Sequence, residues 1–205
     1  MNTTRRAVLT GAVAVGAAAA VPRNTHASEA QPYPAAKSAA ERVRQLLPNP
    51  ELTTHENKRV RFYDDLVRGR TVLVNLMYTQ CKESCPMTLA NLHKVQNKLA
   101  EHVGRDVLML SLTVDPQRDT PQALADHAEM VGAGPGWLFA TGRKADIDAI
   151  RKAMGLYDRF DETDGTSHLN IVAIGNEPLG QWCAIPALST PEDIAMTVQR
   201  VMRKA

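Results

Sequence analysis

An α/β fold built on one central sheet is predicted by three observations. Residues 71–78 (Thr-Val-Leu-Val-Asn-Leu-Met-Tyr) and 107–114 are nearly uninterrupted apolar runs. Runs of that kind mark central strands covered by helices on both faces. Each is followed by apolar residues at helical spacing. A late pair of apolar segments, residues 169–174 and 179–185, then precedes a Thr-Pro helix start at Thr190 and Pro191, the residue types that cap and open a helix.

The elements follow in order. Residues 28–34 read as a lead-in and residues 35–47 as a helix, with Val43, Leu46 and Leu47 forming its apolar stripe and Pro48-Asn49-Pro50 ending it. Residues 52–54 and 60–62 flank His55-Glu56-Asn57-Lys58, which reads as a hairpin with Asn57 in the turn. Gly69 closes a turn before the first central strand. Pro86 suits the first turn of a helix running to about residue 102, carried by Leu89, Leu92, Val95, Gln96 and Leu99 and capped by Gly104. After the second central strand, Thr120 and Pro121 open a helix to about residue 131. A short strand at 137–140 and a helix at 144–154 come next, then an acidic loop from 157 to 165. A βαβ half followed by an antiparallel hairpin and a closing helix is the thioredoxin-like arrangement, with an N-terminal hairpin added. The segment between the second strand and the late hairpin reads as an insertion.

The N-terminus predicts export. Arg5 and Arg6 precede an apolar stretch from Ala7 to Val21, and Thr25-His26-Ala27 offers a small-residue cleavage site. This resembles a twin-arginine signal, and 15 residues fall short of the roughly 20 that span a bilayer. The expected division is a signal at 1–27, a lead-in and helix at 28–50, and one domain at 51–205. Cleavage would remove three arginines and no acids, so Lys plus Arg falls from 24 to 21 against 22 Asp plus Glu. A near-neutral chain with no basic stripe gives no support to nucleic-acid binding. The expected location is the periplasm, an oxidising compartment, with no stable membrane span.

The chemistry centres on Cys81-Lys-Glu-Ser-Cys85-Pro86, directly after the first central strand. A helix N-terminus favours thiolate, the form that attacks disulfides and binds soft metals. If the helix starts near Cys81, both sulfurs share one face. That suits a single metal ion, or a disulfide if the first turn bends. Thioredoxin-type oxidoreductases separate their cysteines by two residues, and the three here point toward metal. Of six histidines, His26 lies in the signal and His55 in the hairpin turn. His93, His102 and His127 read as helix-face or core-edge residues. His168 stands where thioredoxins place a cis-proline, in the loop that enters a strand facing the dithiol helix. Two thiolates and one imidazole suit Cu(I), whereas zinc wants a fourth ligand. Cys183, in a strand with Trp182 and Ala184, is expected to be a buried, inert thiol. Asp115 and Arg118 are expected to form a local ion pair, and Met77 and Met87 to serve the core or a helix face.

Tyr78-Thr-Gln-Cys81-x-x-x-Cys85-Pro86, then Val114-Asp115-Pro116-Gln-Arg118-Asp119-Thr120-Pro121, then a late histidine before a strand, resembles the Sco/SenC family. These are copper chaperones of the thioredoxin fold, associated with assembly of the binuclear copper centre of cytochrome c oxidase. The resemblance covers residues 52 to the C-terminus and implies copper ligands at Cys81, Cys85 and His168, preceded by acids at Asp161, Glu162 and Asp164. Lys82-Glu83 stands where members often have Pro-Asp, and Leu169 where Ser or Thr commonly follows the histidine. Many members are membrane-anchored. The implied function is a metallochaperone that hands copper to a partner such as an oxidase subunit, gated by a Cys81–Cys85 disulfide. Its alternative is a thiol–disulfide reductase that keeps a partner's copper-binding cysteines reduced. A third is a peroxidase with Cys81 as the attacked thiol.

Overall fold

The computed structural model describes residues 37–81, 85–157 and 170–203. Within them lie helices α1 (Ala39–Leu46), α2 (Cys85–Lys98), α3 (Pro121–Met130), α4 (Lys144–Ala153) and α5 (Pro191–Met202). The strands are β1 (Glu51–Thr54), β2 (Arg59–Arg61), β3 (Thr71–Met77), β4 (Val107–Thr113), β5 (Trp137–Thr141), β6 (Ile171–Asn176) and β7 (Gln181–Pro186). They form one mixed sheet in the order β2-β1-β5-β4-β3-β6-β7. β3 runs parallel to β4, β6 antiparallel to β3, and β7 antiparallel to β6. This bears out the thioredoxin-like α/β expectation. The segment read as an insertion supplies α3, β5 and α4, and β5 extends the sheet beside β4 and pairs antiparallel with β1.

Every residue of β3 and of β4 is buried, as the apolar runs require. Alternation of side chains across the sheet divides the core in two. On one face Leu73, Met77, Met109 and Ile174 pack under α2, α3 and α5, through residues such as Leu92, Leu124 and Ile194. On the other, Val72, Val74, Leu110 and Ala173 pack under α1 and α4, through Val43, Ile147 and Ile150. A polar chain crosses the first core. The Trp137 indole N–H donates to the Ser111 hydroxyl at 2.9 Å, and that hydroxyl donates to Asn75 at 2.8 Å. Buried polar groups that are all bonded fix strand register without a desolvation penalty.

Several boundaries differ from expectation for local reasons. α1 starts at Ala39 because Ser38 caps it: Ser38 Oγ accepts from Glu41 N–H, and the Glu41 carboxylate accepts from Ser38 N–H. The hairpin turn forms as read, with Asn57 at φ 57°. Phe62, expected to end the second strand of the hairpin, instead opens a π-helix, Phe62–Val67, that buries Phe62, Tyr63, Leu66 and Val67. Its Tyr63 hydroxyl donates to buried Glu177 at 2.6 Å, and Glu177 also accepts from Gly69 N–H at 2.8 Å. Burial, then that carboxylate partner, raise the Tyr63 phenol to about 12. α2 ends at Lys98, followed by turns through residue 102.

Cys183 corrects another expectation. It lies on β7, an edge strand, and is exposed. Only one side of β7 has a strand neighbour, so alternation there does not bury the residue. Partial burial of the sulfur still holds the thiol above its ordinary value.

Candidate functional site

The site lies at the carboxyl ends of β3 and β4, the end of a parallel pair where α/β sheets place ligands. β3 ends at Met77, and the chain turns so that Cys81 N–H donates to the Tyr78 carbonyl at 3.2 Å. Cys81 therefore stands in a turn ahead of α2, which is described from Cys85. The two cysteine side chains are within hydrogen-bonding reach of each other. Cys81 is half-buried, and Cys85 is 3% exposed. None of the three cysteines is joined in a disulfide. Burial, then the hydrogen bond with Cys81, push the Cys85 thiol up to about 12, with backbone bonding at Tyr78 and Cys85 acting the other way.

Cys81 opens onto a groove of about 490 Å³ between α2 and α3. His93 and His127 line it, with Leu89 and Met130. The His93 ring is held at both nitrogens: Nδ1 lies 3.0 Å from the Gly132 carbonyl oxygen and Nε2 lies 3.2 Å from the Asn97 amide nitrogen. The His127 ring meets Phe139 edge-on, and burial lowers its pKa. Met77 is fully buried in the core, and Met87 is exposed on α2.

Among the described residues no group of three His, Cys, Asp or Glu is gathered to hold a metal. The third expected ligand, His168, and the acids Asp161, Glu162 and Asp164 lie outside the described residues. The first described residue after His168 is Asn170. Its side-chain oxygen accepts from the Thr88 hydroxyl of α2 at 2.8 Å, and its carbonyl accepts from Ala187 N–H at 3.0 Å. Asn91, also on α2, donates to the carbonyls of Ala187 and Ser189 at 3.0 and 2.7 Å.

Arg118 pairs with Asp115 at 2.9 Å, as the sequence suggested. Asp119 does more. It is 1% exposed, and its carboxylate accepts from Thr79 N–H, from the Thr79 hydroxyl and from the Thr113 hydroxyl. Neither Asp119 nor the Thr88–Asn170 contact was singled out by sequence reasoning. The only available signal was the position of Asp119 inside the Asp-Pro-x-Arg-Asp-Thr-Pro run.

Residues 40–203 match the SCO1/SenC family model. The chain belongs to the SCO1/SenC family. A Stutzerimonas stutzeri protein named for copper binding is 27% identical over 117 residues, 57% of this chain and 56% of that protein. The chain thus spans about half, or less, of the length of the curated relatives it matches. Arabidopsis thaliana ScoI, solved with copper bound, superposes with a TM-score of 0.62 at 19% identity, covering 78% of this chain and 99% of that one. BsSco, described as having a disulfide switch and as a member of the Sco family of cytochrome c oxidase assembly proteins, superposes with a TM-score of 0.62 at 22% identity, covering 78% and 94%. At those identities the solved structures establish the fold.

Proposed function

We propose that this SCO1/SenC member is an exported metallochaperone. It carries one Cu(I) on Cys81, Cys85 and His168 and passes it to a cuproenzyme such as the binuclear copper centre of cytochrome c oxidase. The observation that carries the reading is the hydrogen-bonded pair of Cys81 and Cys85 at the end of β3. Two converging sulfurs are a soft donor set, and an imidazole completes the trigonal environment that Cu(I) accepts. Copper in a family neighbour and the copper-binding name of a relative support the choice of metal. Residues 1–27, read as the twin-arginine signal, lie outside the described residues. Among the described residues no helix is long and apolar enough to cross a membrane.

Redox state gates the cargo in this reading. Closing the Cys81–Cys85 disulfide removes two electrons and two protons, which pass to a disulfide of an exchange partner and leave it as two thiols. The donor set is then lost. The disulfide switch named for BsSco supports this step.

Asymmetric burial of the pair favours one alternative. A half-exposed Cys81 beside a buried Cys85 is the arrangement of an attacking and a resolving thiol, so a thiol–disulfide reductase acting on a partner's copper-binding cysteines is the second reading. Anaerobic titration of the reduced protein with Cu(I) decides between them. The chaperone reading expects one equivalent bound, with severe weakening in Cys81→Ser, Cys85→Ser and His168→Ala. Unchanged affinity in His168→Ala removes that ligand. Copper-indifferent protein that turns over a disulfide substrate establishes the reductase.

A further inference from the structure

Asp119 lies 38 residues beyond Cys81 in the chain yet bonds to Thr79, in the segment that leads into Cys81. Thr113 is the last residue of β4 and stands in register with Met77, the last of β3. Asp119 sits across these two strand ends. Both its oxygens lie 3.2 Å from the Thr79 nitrogen. Oδ1 also accepts from the Thr79 hydroxyl at 2.6 Å, and Oδ2 accepts from the Thr113 hydroxyl. Thr113 Oγ1 accepts in turn from Asp115 N–H at 2.9 Å. A buried carboxylate is tolerated only when it is well bonded. Here all the bonds come from neutral donors, so none is drawn away to a mobile cation. The segment so held is short: Thr79 is two residues before Cys81, and Tyr78, the residue next to it, receives the Cys81 N–H.

We propose that Asp119 is a positioning residue for the Cys81 thiol. By holding both the amide and the hydroxyl of Thr79, it fixes the turn that presents Cys81 to Cys85. Ligand sets held by buried bonds outside the ligands themselves bind metal more tightly, because less ordering remains to be done on binding. The effect on copper rests on the reading of Cys81 as a ligand. The effect on the turn does not.

The test uses the reduced full chain with Thr79→Val, Thr79→Ser and Asp119→Asn. Amide hydrogen exchange is followed at Cys81 and at Leu73 and Leu110 in the strands, and Cu(I) affinity is measured by competition with a chromophoric chelator. Thr79→Val and Asp119→Asn are expected to speed exchange at Cys81 about 10-fold with the strand amides unchanged, and to weaken Cu(I) binding about 10- to 100-fold. Thr79→Ser, which keeps the hydroxyl, is expected to match the parent in both. Unchanged exchange at Cys81 in Thr79→Val overturns the proposal. So does an equal rise at Leu73 and Leu110, which marks general destabilisation. If the parent takes up no Cu(I), the copper reading fails, and exchange alone decides the role of Asp119.

Discussion

The Thr88 hydroxyl donates to the side-chain oxygen of Asn170 across 2.8 Å, tying the helix of Cys85 to the entrance of β6. Thr88 is almost fully buried and lies three residues after Cys85, while Asn170 lies two residues after His168. The contact therefore links the carriers of two proposed ligands that are far apart in sequence. Thr88→Val keeps the shape and removes the donor. Cu(I) affinity is expected to fall about 10-fold, within the range for a bond that orients a ligand. Thr88→Ser should retain parental affinity. Competition against a Cu(I) chelator measures both, and equal affinity in Thr88→Val would show that Asn170 needs no such tether.

Thiol reactivity should follow burial. In the reduced protein Cys183 is exposed, Cys81 half-buried and Cys85 nearly inaccessible behind it. Iodoacetamide is expected to label Cys183 and Cys81 first, with Cys85 about 100-fold slower. Cu(I) should then protect Cys81 and leave the Cys183 rate unchanged. A mass-spectrometric time course reads each site, and early labelling at Cys85 would contradict this arrangement.

The parts of this molecule legible in the sequence are those fixed by local pattern. β3 and β4 declare themselves because both faces are apolar, and α3 and α5 because Thr120-Pro121 and Thr190-Pro191 cap and open them. The cysteine pair is read from spacing alone. What escaped depends on distant chain. The π-helix of Phe62–Val67 is secured by contacts such as Tyr63 to Glu177, 114 residues away. Cys183 alternates like a core residue, and only the strand order reveals that β7 is an edge. Asp119 was visible inside its motif, but its partner Thr79 is 40 residues upstream.

Close backbone approach makes Gly136 irreplaceable. Its φ is 85°, and a Cβ there would lie 2.2 Å from Gly104 N and 2.4 Å from Gly104 Cα. Left-handed backbone alone costs an alanine about 1–2 kcal/mol, and neither backbone segment can yield as a side chain would. Gly155, at φ 70° with nothing within 4 Å of a built Cβ, supplies the control. Denaturant unfolding should place Gly155→Ala within about 1–2 kcal/mol of the parent and Gly136→Ala well below it. Equal losses would mean that the Gly104 contact relaxes freely.

Tyr63 gives the fold an alkaline limit. Its folded phenol is raised to about 12, by burial first and then by its bond to the Glu177 carboxylate. The unfolded chain titrates near 10. A group raised on folding contributes its stability in full below the unfolded value and loses it as pH climbs toward the folded one. Tyr63→Phe removes the donor and leaves the buried carboxylate with Gly69 N–H as its remaining named partner, at a cost of about 1–3 kcal/mol near neutral pH. That gap between parent and variant should stay level from pH 7 to about 9 and close as pH passes through about 10 to 12. Urea unfolding at stepped pH measures the gap directly, and because both proteins share every lysine and arginine, their titration cancels in the difference. A gap that persists unchanged at pH 12 would show that the Tyr63 hydroxyl stabilises the fold independently of its proton.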